Sequence, residues 1–123
     1  MPTFRDQRGM VTAEAALTLP LIAAFCLVML WMLTLGIAQI RTVDAARDAA
    51  RALARGEDRA AAVSSAGRSA PGGARVSFTE SAGTVTASVS ARISPPSWLL
   101  VPLPSVGVES RSTVEVEPDG DVP

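Results

Sequence analysis

The 123-residue sequence contains no histidine, lysine or tyrosine, and one cysteine, Cys26. The single cysteine excludes an internal disulfide framework and a zinc cluster of the usual Cys/His type. Without His, Lys and Tyr, the usual general acids and bases shrink to carboxylates, and none of these is spaced for acid–base work or for a calcium loop. A charge of one sign is missing too: eleven Arg face twelve Asp and Glu, for a formal net charge of −1. A nucleic-acid-binding surface would show as a basic patch or a pI above about 9. Composition therefore points away from an enzyme and from a nucleic-acid partner. It leaves no catalytic, cofactor-binding or metal-ligating residues to name.

The apolar residues are concentrated in one place. Between Glu14 and Arg41 lie 26 residues without a charge, AALTLPLIAAFCLVMLWMLTLGIAQI. At about 1.5 Å per residue, such a helix is about 39 Å long, more than the roughly 30 Å of a bilayer's hydrocarbon. The run is apolar all round, the pattern of a lipid-embedded helix, and 10–40 is read as a transmembrane helix. Pro20 inside it removes one backbone hydrogen bond and predicts a kink, which membrane helices tolerate. Cys26, in mid-span, reads as a small apolar packing residue.

Downstream, RTVDAARDAARALAR is rich in helix formers, so the helix is expected to continue through an extension at 41–66, with Gly56 as a break. Arg47, Arg51, Arg55 and Arg59 recur every four residues and form a solvated cationic column. Val43, Ala46, Ala50 and Leu53 mark the opposite face. Asp44–Arg47, Asp48–Arg51 and Arg55–Asp58 are candidate i,i+3 pairs. Residues 67–73, GRSAPGG, have linker chemistry.

The period then changes to two. Ala74, Val76 and Phe78 alternate with polar residues, as do Val85, Ala87, Val89, Ala91 and Ile93, with Glu80 to Gly83 as the turn. Val106, Val108, Val114 and Val116 share a third strand's apolar parity, while Glu109, Arg111, Glu115 and Glu117 share the other. A small antiparallel sheet of about three strands, covered on one face, is expected over 74–117. The fold class is α+β, with a frayed tail at 118–123. In SPPSWLLVPLPS, residues 94–105, prolines exclude a helix interior or central strand. Its cluster Trp98–Val101 must be covered, by the small core or by membrane or a neighbouring subunit.

The N-terminal string carries the most specific signal. A short leader, residues 1–9, holds Arg5 and Arg8 and ends at Gly9; Glu14 follows five positions later, at the edge of the apolar run. A carboxylate there is costly and wants a reason. A helix starting near Thr12 would provide one, with Thr12 as cap and Glu14 in the first turn. The whole string is more particular. It resembles the processing site of type IV prepilins, and Glu14-Ala15-Ala16-Leu17-Thr18-Leu19-Pro20 is similar to the Glu-x-Ala-Leu-x-x-Pro stretch of TadE-like pseudopilins of the tight-adherence (Tad, or Flp) pilus systems.

The resemblance covers residues 8 to about 55 in motif and the rest in layout. It implies a pseudopilin or minor pilin, cut between Gly9 and Met10 by a membrane prepilin peptidase, in which Glu14 pairs with a neighbouring subunit's free amine. Its implied partners are that peptidase, other pilins or pseudopilins, the Tad assembly machinery and membrane lipid, with no cofactor. Met10 stands where major pilins commonly carry Phe. The implied location is the cytoplasmic membrane, single-pass, with the N-terminus inside and the C-terminal domain outside. Charge alone does not orient the chain, because Arg41, Arg47, Arg51 and Arg55 outnumber Arg5 and Arg8. Two other readings use the same segment: an unprocessed membrane-anchored envelope binding protein, or a secreted protein cleaved after Ala38. Against secretion, about 20 apolar residues precede Ala38, more than a typical signal-peptide core of about 7–15.

Overall fold

The structure, a computed structural model, describes residues 4–116. Met1 to Thr3 of the leader and the tail expected at 118–123 lie outside the described residues. The chain is α+β: a helix α1 (Phe4–Ala54), a short helix α2 (Arg59–Ser69) and strands β1 (Arg75–Ser81), β2 (Thr84–Ile93) and β3 (Val106–Glu115). The strands form one antiparallel sheet in the order β1-β2-β3.

Helix α1 runs for 51 residues and passes through Pro20 without interruption. It begins ahead of Gly9, so residues 4–9 of the leader are helical. Thr12 is not a cap: its hydroxyl donates to the Arg8 carbonyl at 3.0 Å. Thr18, Thr34 and Thr42 likewise donate to the carbonyls of Glu14, Leu30 and Ala38. Hydroxyls in an apolar helix thus find acceptors one turn back, on their own helix.

The helix ends where the sequence supplies a stop. Gly56 takes φ 83°, Gly56 N–H donates to Leu53 O, and Glu57 N–H reaches back to Ala52 O. This is the Schellman arrangement that a glycine permits. Arg55 and Glu57 pair across the turn at 2.7 Å, and Asp58 caps α2 by accepting from Ala61 N–H at 2.8 Å. Helix α2 extends to Ser69, so Gly67, Arg68 and Ser69, read as linker, are helical. Pro71 ends it, since its ring cannot continue the ladder.

In β2 the expected parity holds. Val85, Ala87, Val89 and Ala91 are buried, while Ser90 and Arg92 are exposed. The β1–β2 turn is tighter than the four residues expected, since Glu80 and Ser81 belong to β1 and only Ala82 and Gly83 turn, at φ 46° and 79°. Both positive φ angles suit a two-residue type I′ hairpin.

The core is an alanine seam. Ala45, Ala46, Ala49 and Ala50 of α1 and Ala66 of α2 meet Ala87 and Val89 of β2, flanked by Val76, Phe78 and Val114. A second patch joins Ala38 to Ala91 and Val108. The buried stripe on α1 therefore runs Ala38, Thr42, Ala45, Ala46, Ala49, Ala50 and Ala52, with Val43 and Leu53 only half-buried. Small side chains let the helix approach the sheet closely, at interior packing density. The i,i+3 pairs expected along α1 are absent among the ion pairs of the described residues. Asp48 instead accepts from Ser69, Asp58 caps α2, and Arg59 reaches Glu80 of β1 at 2.7 Å.

A seam this small has no room for a larger side chain. Ala49→Leu is expected to destabilise the domain by about 1–3 kcal/mol. The same change at exposed Ala60 of α2 should stay within about 0.5 kcal/mol. Chemical unfolding of the two variants in micelles checks the contrast.

Candidate functional site

Two features stand out, both on α1 or against it. The first is the N-terminal string. Met10 and Glu14 are exposed on the helix, and a spacing of four residues puts them on one face. No cation of the described residues lies within ion-pair distance of Glu14; the ion pairs there are Arg55–Glu57, Arg59–Glu80 and Arg111–Glu109. The Gly9–Met10 bond is in helical backbone, and nothing packs within 4 Å of the position a Gly9 Cβ would take. A glycine costs an exposed helix interior about 1 kcal/mol against alanine, so the helix is locally weaker at Gly9.

Beyond Glu14 the helix shows apolar side chains to every side. Leu17, Leu19, Leu21, Ile22 and Phe25 are exposed, as are Leu30, Met32, Leu33, Ile37 and Ile40. The helix is long and apolar enough to cross a membrane. Water is a poor solvent for such a surface, because each fully exposed large side chain forgoes about 1.5–3 kcal/mol of burial. Cys26 is exposed within this stretch.

The second feature is a covered residue in the same stretch. Trp31 is 6% exposed, and Leu27, Val28 and Leu35, one turn away on the helix, are half-buried. Strand β2 runs antiparallel to α1: Val89 packs beside Ala45–Ala50, Ala91 beside Ala38, and Ile93 lines a cleft with Thr34, Ile37 and Arg41. The connection 94–105 leaves Ile93 in that direction. Its ends are tied by Ser105 Oγ to Ser94 Oγ at 3.1 Å, and Leu99 N–H to Pro96 O closes a turn with Trp98 at its tip. Trp98 does not cap the core: it is 73% exposed and Leu100 is 99% exposed, with Leu99, Val101 and Leu103 half-buried. The indole N–H of Trp31 has no acceptor.

The remaining polar groups are dispersed. Arg47, Arg51, Arg55 and Arg59 are exposed, as a solvated column requires. Glu109 accepts from Ser88 and Arg111, and its carbonyl accepts from Gln39 of α1 at 3.3 Å. The outer sheet face is Ser/Thr-rich, with Thr86 and Thr113 in contact at 2.9 Å. Among the described residues, no three His, Cys, Asp or Glu side chains gather as a metal site would need. Comparison with protein-family models, curated proteins and solved structures finds no match to the chain.

If the exposed stretch lies in lipid, Cys26 is out of reach of water. In intact vesicles a charged, membrane-impermeant maleimide should leave Cys26 unmodified, and labelling should appear after solubilisation in dodecyl sulfate. Labelling in intact vesicles would place this part of the helix in water.

Proposed function

We propose that the chain is a non-catalytic, membrane-anchored assembly component, a pseudopilin or minor pilin similar to TadE-like proteins of Tad pilus systems. One observation carries this reading: Glu14, an exposed carboxylate without an ion-pair partner among the described residues, stands at the entrance of a 26-residue charge-free helix. A carboxylate carried into an apolar environment remains charged only when compensated. Cleavage between Gly9 and Met10 would create the missing cation, the ammonium of Met10, on the same helical face. Presented by a neighbouring subunit, that ammonium neutralises Glu14 and fixes the stagger between two helices.

The remaining parts fit this role. The apolar surface of α1 anchors the precursor in the cytoplasmic membrane and then packs against other pilin helices. The sheet domain travels with it, on the extracytoplasmic side in the orientation that the TadE resemblance implies. Its Ser/Thr-rich outer face is the surface offered to the assembly machinery.

Intact-mass measurement on the membrane-extracted protein, with and without a co-expressed prepilin peptidase, tests the reading. A mature chain beginning at Met10 is expected only with the peptidase. A chain beginning at Gln39 would indicate secretion, and an uncut chain would indicate an anchored accessory protein. Glu14→Ala is expected to be cleaved almost normally and to impair assembly. Normal piliation with Glu14→Ala would remove the register role.

A further inference from the structure

We infer that the connection 94–105 is a second membrane-contacting element, which dips beside α1 into the boundary of the bilayer and lays the sheet domain down on the lipid surface. The inference rests on the membrane-anchored reading of α1 and adds a separate contact to it.

The first support is that two charge boundaries coincide. Along α1 the charge-free run ends at Arg41. Along the sheet, the 16 residues between Arg92 and Glu109 are also uncharged. Arg41 lines the same cleft as Ile93, the residue after Arg92, and Gln39 of α1 bonds the Glu109 backbone. The helix and the β2–β3 connection thus lose their charges at one level, and beyond it the connection is uncharged throughout and the helix as far as Glu14. A soluble domain has no reason to align such boundaries, whereas a planar lipid surface imposes one on every element that meets it.

The second support is the composition and pose of the connection. Four of its twelve residues are prolines, Pro95, Pro96, Pro102 and Pro104, and each removes a backbone N–H that a less polar medium would leave unpaired. At its tip stand Trp98, of the residue type enriched where bilayers meet water, and Leu100. Both are uncovered, as is Ile37 of α1, which lines one cleft with Ile93 at the start of the connection. Above the boundary, Arg41, Arg75 and Arg92 have no ion pair among the described residues, with Arg75 and Arg92 lining one cleft. Three free guanidiniums at this level complement anionic headgroups.

The depth is consistent with irregular backbone. A charge-free helix of about 39 Å exceeds the hydrocarbon by about 9 Å. With Glu14 at the far edge, that excess lies among the headgroups, at the level where Ile93 meets Arg41 and the connection begins. Interfacial elements bury to about 5–10 Å.

The experiment uses the full chain in vesicles of phosphatidylcholine and phosphatidylglycerol, with Trp31→Phe making Trp98 the single fluorophore. Phe keeps an aromatic ring at the buried position and removes the unpaired indole N–H, so the variant should fold. Trp98 emission is expected to be shifted to the blue, quenched by lipids brominated near the headgroup, and protected from aqueous iodide. Adding Leu100→Asp should weaken the bromolipid quenching while the circular dichroism is unchanged. Iodide quenching without bromolipid quenching would overturn the inference. Protection from both quenchers would also overturn it, by showing that a second protein copy covers the tip. Cys26 labelling separates the two readings: protected Cys26 with Trp98 in water leaves the anchor and removes only this contact.

Discussion

One helix has to satisfy two surroundings, and the rest of the chain is arranged around that constraint. Along α1 the side-chain set changes at Ala38–Arg41. Before it stand leucine, isoleucine, methionine and phenylalanine on all faces. After it, a stripe of alanines and one threonine faces the sheet, with arginines on the outside. The second half closes a domain because its residues are small enough to let a three-stranded sheet pack directly on the helix. The first half has little such cover, at Trp31 and half-buried Leu27, Val28 and Leu35, and is suited to lipid. Since α1 is continuous, the domain cannot turn relative to the apolar segment without breaking helix hydrogen bonds. Any tilt of the anchor is therefore transmitted to the sheet.

That rigidity gives the proposed assembly chemistry its use. A carboxylate at Glu14 paired with a neighbour's ammonium would set the axial offset between two helices, and a stiff helix carries that offset to the domain tens of ångströms away. Loosely hinged domains would lose the register. The Schellman turn at Gly56, the Asp58 cap and the Arg55–Glu57 pair tie α2 back onto α1 at the far end. The ion pairs involved are exposed and each contributes little, about 0–1 kcal/mol, so the alanine seam, not charge, holds the domain together.

Much of the fold was legible in the sequence because its signals are local. The 26-residue charge-free run, the period-two parity of Val85–Ala91 and a turn within Glu80–Gly83 need no tertiary information. The α1–α2 junction was only half legible: Gly56 marked the stop, but the partners of Asp48 and Asp58 did not follow, since Ser69 and the α2 N–H groups become competitors only after the hairpin folds. The buried stripe was offset for a related reason. On an alanine-rich helix several faces look alike, and the sheet chooses among them. The position of Trp98–Val101 depended on where β2 points along α1, which no local pattern encodes. At the N-terminal string the residues named from sequence lie together on exposed helix, but their chemistry belongs to a neighbouring molecule and to a cut chain. It is read from spacing rather than from a formed site.

The central claim is that α1 lies in lipid from Ala15 to about Ile40 and in a protein core beyond. Hydrogen–deuterium exchange of the full chain in lipid nanodiscs measures this most directly. Slow exchange is expected over 15–40 and over the seam at 45–50, with fast exchange at 7–13 on the other side of Glu14. Rapid exchange throughout 15–37, comparable to that of the exposed face of α2, would contradict it.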